Sequence, residues 1–293
     1  MILLLALACV SEDVAGTGAL DLSISGGEAL RSGFPYVEGG AELAFVDGWE
    51  VHFDRYLISI SEVALTDPAD GAWAGGWEGA RVVDLARAVG AEEPIATLED
   101  LPALRLDLGF TLSPVSASSE GDSPLPADLA MMETEGWTHW IGGTATRGEE
   151  RVDFSLGLSL PTAYTRCVNG KDFTEGIAVA SHTTTGATLY AHAVHLFWDT
   201  LAAGDEDLRF DPWAAVAGED GVVTADDLAD QDLTDLRDAD GDPLLDPSGA
   251  RISYDDGGLL GPGQYDLLSF VRYGLRQSAH LNGVGYCRAA ALE

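Results

Sequence analysis

The sequence predicts a mainly β protein, an antiparallel sandwich that carries a helical extension towards its C-terminus. Three observations lead there. Apolar residues recur at period two in several short stretches, and Gly, Pro and Asp punctuate the gaps between them. No helical pattern separates these stretches until about residue 199. Strands without intervening helices pair antiparallel and stack in layers, because parallel neighbours need a long crossover, usually helical. A length of 293 residues allows one large domain or two smaller ones, and 46% hydrophobic residues suffice for a packed core.

The chain opens with "MILLLALACVSED". Its apolar run is shorter than the ~20 residues a bilayer span needs. It has instead the apolar-then-small-residue layout of a secretory signal. Leu5-Ala6-Leu7-Ala8-Cys9 resembles a bacterial lipobox, in which the cysteine becomes the lipidated first residue of the mature chain. Residues 1–9 are therefore expected to be a lipoprotein signal segment, with Cys9 as the lipidation site, and residues 10–25 a polar tether. The expected location is the bacterial cell envelope, periplasmic or outer-membrane, with contact to the membrane through the lipid anchor alone.

Residues 26–198 are expected to form the sandwich. "AELAFVDGWEVHFDRYLISISEVALTD" (41–67) alternates, with Val51, Phe53 and Arg55 on one face and His52, Asp54 and Tyr56 on the other. The run Tyr56-Leu57-Ile58 suits a strand covered on both sides. "ALRLDLGFTLS" (103–113), "VDFSLGLSL" (152–160) and "GATLYAHAVHLFW" (186–198) repeat the style. Residues 199–293 are expected to be a helical extension packed on the sandwich. There Pro212, Thr224 and Asp226 mark helix starts, and Leu268, Val271 and Leu275 share one face of an amphipathic helix.

Two global properties narrow the function. The net charge is −34 and Lys171 is the only lysine, so the surface repels nucleic acid and suits cations. Three cysteines leave Cys167 and Cys287 as a pair once Cys9 carries lipid, and in an oxidising compartment they are expected to be bonded. No HExxH, GxSxG, P-loop or CxxC pattern occurs, and no enzymatic activity is expected.

Six histidines are present, and two of them sit in "LYAHAVHLFWDTL" (189–201). On a straight strand His192 and His195 aim at opposite faces, whereas a turn or bulge near Val194 would bring them together. Phe197 and Trp198 would then close the site, and His280, seven residues before Cys287, would be a third ligand delivered by the disulfide. Affinity for a metal would fall as pH drops through the imidazole range near 6.5. The alternative is a core strand whose imidazoles bond backbone carbonyls. Calcium has weaker candidates: Asp220 and Asp227, which overlay half of an EF-hand loop, and Asp238, Asp240 and Asp242 in "DADGDPLLDPSG".

Two stretches carry a family resemblance. "GWEVHFDRYLISISEVAL" (48–65) and "ETEGWTHWIGGTATRGEERVDFSLGL" (133–158) resemble segments of the methanobactin-associated periplasmic copper proteins, β-sandwiches that bind one copper through two histidines and an oxidised tryptophan. The resemblance implies His52 as one ligand and Trp137 or Trp140 as the modified aromatic. Ser155 stands where the family carries a histidine, so the second ligand stays open among His192, His195 and His280. The rest of the chain looks like uncharacterised bacterial surface lipoproteins. The expectation is an exported lipoprotein that binds a transition metal, copper above all. The alternative is an acidic envelope lipoprotein that contacts another envelope protein and binds no metal.

Overall fold

The computed structural model describes residues 16–292, apart from 88–90, 117–118, 120–125, 203 and 205. Cys9, with the expected signal segment and the start of the expected tether, lies outside the described residues. In chain order the strands begin with β1 (Thr17–Ser25), β2 (Tyr36–Glu38), β3 (Ala41–Leu43), β4 (Glu50–Thr66), β5 (Trp73–Asp84), β6 (Glu93–Pro102), β7 (Arg105–Leu112) and β8 (His139–Arg147). They continue with β9 (Glu150–Leu158), β10 (Thr162–Thr165), β11 (Ile177–Ala178), β12 (Thr184–Ala191), β13 (Val222–Val223), β14 (Ala279–Leu281), β15 (Gly285–Tyr286) and β16 (Arg288–Ala291). The helices are α1 (Gly27–Ser32), α2 (Pro126–Glu135), α3 (Asp211–Ala214), α4 (Ala225–Ala229) and α5 (Leu267–Gln277). Among the described residues no helix is long and apolar enough to cross a membrane.

The fold is mainly β and sandwich-like. One sheet runs β15-β14-β12-β1-β6 and the other β13-β9-β8-β4-β7-β10-β16, with β5 on β4 and β11 on β7. Two expectations need correction. The tether expected over residues 10–25 ends early, because "LDLSIS" alternates and buries Leu20, Leu22 and Ile24 in the core as β1. β1 also pairs parallel with β12 while it pairs antiparallel with β6. Its sheet is therefore mixed.

The region from 199 onwards is less helical than expected and returns to the sheets. β14 and β15 extend the first sheet, β16 edges the second, and α3 and α4 are single turns. The cause is local. Asp238 accepts the backbone N–H groups of Asp240 and Asp242, and Asp246 those of Ser248 and Ala250. Such side-chain bonds replace the helical ladder and hold turns instead. α5 is the one long helix of this region; Asp266 caps it by accepting from Ser269 N, and it buries Leu268, Val271 and Leu275 as expected.

β4 explains a further departure. Its register slips between Phe53 and Arg55 against β8, and again near Glu62 (φ 51°). A bulge adds one residue and exchanges the faces beyond it. Val51 therefore shares the main core with Tyr56, Ile58 and Ile60, and after the second slip with Val63 and Leu65. Leu57 points the other way, into a small second core with Val82, Val115 and Met132 under α2. At the β14 end of the first sheet the main core is aromatic: Phe197 packs edge-on against Phe45 (5.0 Å between centroids) and beside Trp213 (5.0 Å).

Candidate metal centre

β12 stops at Ala191, and the backbone then enters a 3₁₀ turn over Ala193–Leu196. His192 caps this turn: its carbonyl accepts from His195 N at 3.3 Å, while its own N–H donates to Ser278 O. In a 3₁₀ turn side chains three apart eclipse, so His195 is carried round to the side of His192. The expected turn near Val194 is present.

His280 arrives by register. β14 pairs antiparallel with β12, with Tyr190 opposite His280. Residues two apart on a strand share a face, so His192, two beyond Tyr190, falls on the face that carries His280. The hairpin holding His280 is pinned at its turn by Asn282 (φ 52°), which exchanges bonds with Thr188 through N–H and Oδ1. The Cys167–Cys287 disulfide, buried at both ends and separated by 120 residues, ties the same hairpin to the loop after β10.

The three rings meet. Centroid separations are 4.5 Å for His192–His280, 5.5 Å for His195–His280 and 6.2 Å for His192–His195. Tetrahedral coordination with nitrogen–metal distances of about 2.0–2.1 Å sets imidazole centroids roughly 5 Å apart. The trio straddles that spacing. Among the described residues, however, no group of three His, Cys, Asp or Glu side chains is placed so that it could hold a metal ion.

Hydrogen bonding leaves nitrogens to spare. His192 Nε2 lies 3.2 Å from Gly283 O, and the Gly274 carbonyl sits beside the His195 ring. A neutral imidazole that donates one N–H to a carbonyl presents a lone pair on its other nitrogen. His195 Nδ1 and both nitrogens of His280 are buried without a hydrogen-bond partner; the carbonyls of Gln277 and Val284 favour the charged His280 ring but complete no bond to it. Unpaired buried polar atoms cost about 1–3 kcal/mol each, which gives the arrangement a reason to bind something.

Burial also keeps the rings neutral. Desolvation, followed by the neighbouring imidazoles, drives His195 down to about 2. Desolvation and then His192 take His280 to about 4, and desolvation lowers His192 against the pull of Gly283 O. At neutral pH the three rings are therefore uncharged. Trp198 covers His195 with a centroid distance of 3.7 Å, as expected, whereas Phe197 turns into the aromatic core and leaves the site.

The other candidates lie elsewhere. His52 is exposed, because the β4 slip leaves it outward-facing beside Val51; its ring lies against Gly33 and makes no ring contact with the trio. Trp137 and Trp140 face each other at 5.6 Å beside the second small core, with Arg55 4.1 Å over Trp140 and Trp140 Nε1 donating to Ser155 Oγ. The copper site implied by the resemblance, with His52 and one of these tryptophans, is thus not assembled around the trio. Asp227 is committed to a helix cap, accepting from Thr224 N and Oγ1, and Asp220 accepts from Val222 N. Asp238 turns its carboxylate onto the N–H groups of Asp240 and Asp242. His139, which sequence reasoning did not single out, is fully buried on β8 with its Nδ1 at 2.8 Å from Thr138 Oγ1. Comparison with protein-family models, with curated proteins and with solved structures finds no match.

Proposed function

We propose that the protein is an exported lipoprotein of the bacterial envelope that binds one transition-metal ion, with copper as the metal, through His192, His195 and His280. The observation that carries the reading is the trio itself: three neutral imidazoles, His195 buried and His192 and His280 half-buried, with centroids 4.5–6.2 Å apart and unpartnered nitrogens on His195 and His280. Imidazole suits copper and zinc, and divalent copper outranks zinc at a nitrogen site. The net charge of −34 concentrates cations at the surface, and the disulfide fits an oxidising compartment. Membrane attachment would rest on Cys9. The second reading, an acidic envelope protein with an interaction role, is favoured by the His192–Gly283 bond and the His195–Trp198 stack, which are ordinary ways to pack a core histidine.

Titration of metal-free protein with copper, followed by elemental analysis after desalting, separates the two. The metal-binding reading expects one equivalent per chain, lost in the paired substitution His195→Ala with His280→Ala while the circular dichroism spectrum is kept. Wild-type protein that retains no metal would overturn the metal-binding reading.

A further inference from the structure

A cavity of about 500 Å³ opens on the outer face of the first sheet, and none of the histidines lines it. Its floor crosses three strands: Gly186 on β12 stands opposite Asp21 on β1, and Asp21 opposite Thr97 on β6. One row further, Thr188 stands opposite Ser23. Asp21 and Ser23 point outwards because Leu20, Leu22 and Ile24, which alternate with them, fill the core. Nothing lies within 4 Å of the point that a Cβ on Gly186 would take, so the floor is bare there.

The cavity carries both signs of charge. Lys171, the only lysine of the chain, reaches in from the loop after β10, and its Nζ donates to Gly186 O at 3.3 Å. Its backbone is held in place: Lys171 N donates to Asn169 Oδ1, which also accepts from Asn282 Nδ2, and Gly170 N donates to Leu281 O. The acids of the same loop are taken, Asp172 by Arg105 and Glu175 by Arg166. Among the described residues Lys171 is therefore left without an ion pair, in a chain of net charge −34. Across the floor, Asp21 Oδ1 accepts from Thr97 Oγ1 at 2.7 Å and Glu92 Oε2 from Ser23 Oγ at 2.9 Å. One hydroxyl orients each carboxylate.

We propose that this cavity binds a small zwitterion of the amino-acid type, with its carboxylate on Lys171 and its primary ammonium between Asp21 and Glu92. Neighbouring strands lie about 4.8 Å apart, so the charged groups spread over roughly 10 Å. A molecule with its two charges a few atoms apart, and a hydrogen bond of about 2.8 Å at each end, covers that span. No aromatic ring among the described residues lines the cavity, so the cage that recognises quaternary ammonium ions is missing. A ligand with one sign of charge would leave the other side of the site unpaired. The inference is independent of the histidine trio.

The test is calorimetric titration of the full chain, free of metal, with each common amino acid, and with succinate, putrescine and glucose as controls. At least one amino acid is expected to bind one-to-one, and the controls are expected to give no heat. Lys171→Gln, at an exposed side chain, should weaken binding at least about tenfold, because a charge-assisted bond is lost. Gly186→Trp should abolish binding with the circular dichroism spectrum kept, since its indole would fill the cavity from a bare floor. The absence of binding by any amino acid overturns the proposal. So does binding that both variants leave unchanged, or succinate or putrescine binding as well as the amino acid. Should Gly186→Trp fail to fold, Lys171→Gln decides by itself.

Discussion

His192 and His280 face each other at the end of the β12–β14 pair, with ring centroids 4.5 Å apart and planes at 70°. The contact joins a strand end to a tail hairpin, and both are held by covalent and backbone links that do not involve the rings. The placement of the two rings is thus set by the fold. Each part of that construction can be removed separately.

The disulfide comes first. Cys167→Ser with Cys287→Ser opens a loop of 120 residues, which the chain-entropy model values at roughly 4–5 kcal/mol. Urea unfolding should show a loss of that order. Hydrogen exchange should show the β14–β15 hairpin opening before the strands around β4. Uniform loss of protection across both sheets would contradict an anchoring role confined to the tail.

Gly274 sets the distance between α5 and the 3₁₀ turn. Gly274→Ala must displace the helix from His195 O, at an overpacking cost of about 1–3 kcal/mol, offset by up to ~1 kcal/mol of helix propensity. Copper affinity should fall at least tenfold, measured by competition titration, while the melting temperature shifts only modestly. Unchanged affinity would show that the trio tolerates movement of its floor.

Parts of this were legible in the sequence and parts were not, for physical reasons. Alternation with turn residues announced the β class, and an even cysteine pair announced the bond. "HAVH" could be read as a shared corner only if the strand stopped, and Ser278 O, which receives His192 N, lies far along the chain. His52 was misplaced because a bulge leaves no mark on periodicity until it is passed: the face it shares depends on an unpaired residue near Asp54. The parallel β1–β12 pairing joins segments over 150 residues apart and has no local signature. The acidic region after 199 kept helical spacing, but its aspartates bond their own backbone and favour turns.

His139 makes stability depend on pH. Burial first, and the Arg276 charge second, hold it down to about 4, against about 6.5 in an unfolded chain. Between these values the unfolded state binds the extra proton, so stability rises with pH across the window. The contribution is complete above about 6.5 and is lost as pH falls through 4, a change of roughly 3 kcal/mol. In metal-free protein, the stability difference between pH 7 and pH 4.5 should shrink in His139→Gln relative to wild type. An equal pH dependence in both would assign the effect to other groups.

The acidic loops give a control. Thr224 and Asp227 form a reciprocal cap on α4, so Thr224→Ala should cost about 1 kcal/mol by thermal unfolding and leave copper binding untouched. Millimolar calcium should not raise the melting temperature, since Asp220, Asp227 and Asp238 already accept backbone N–H groups. A calcium-dependent rise of several degrees would show that these loops rearrange around an ion.

X-ray absorption at the copper edge, on protein loaded with one equivalent, tests the central claim most directly. Coordination by His192, His195 and His280 predicts nitrogen scatterers at about 2.0 Å with the outer-shell signature of three imidazoles, reduced to two in His280→Ala. Oxygen scatterers without imidazole outer shells, or a spectrum that His280→Ala leaves unchanged, would contradict it.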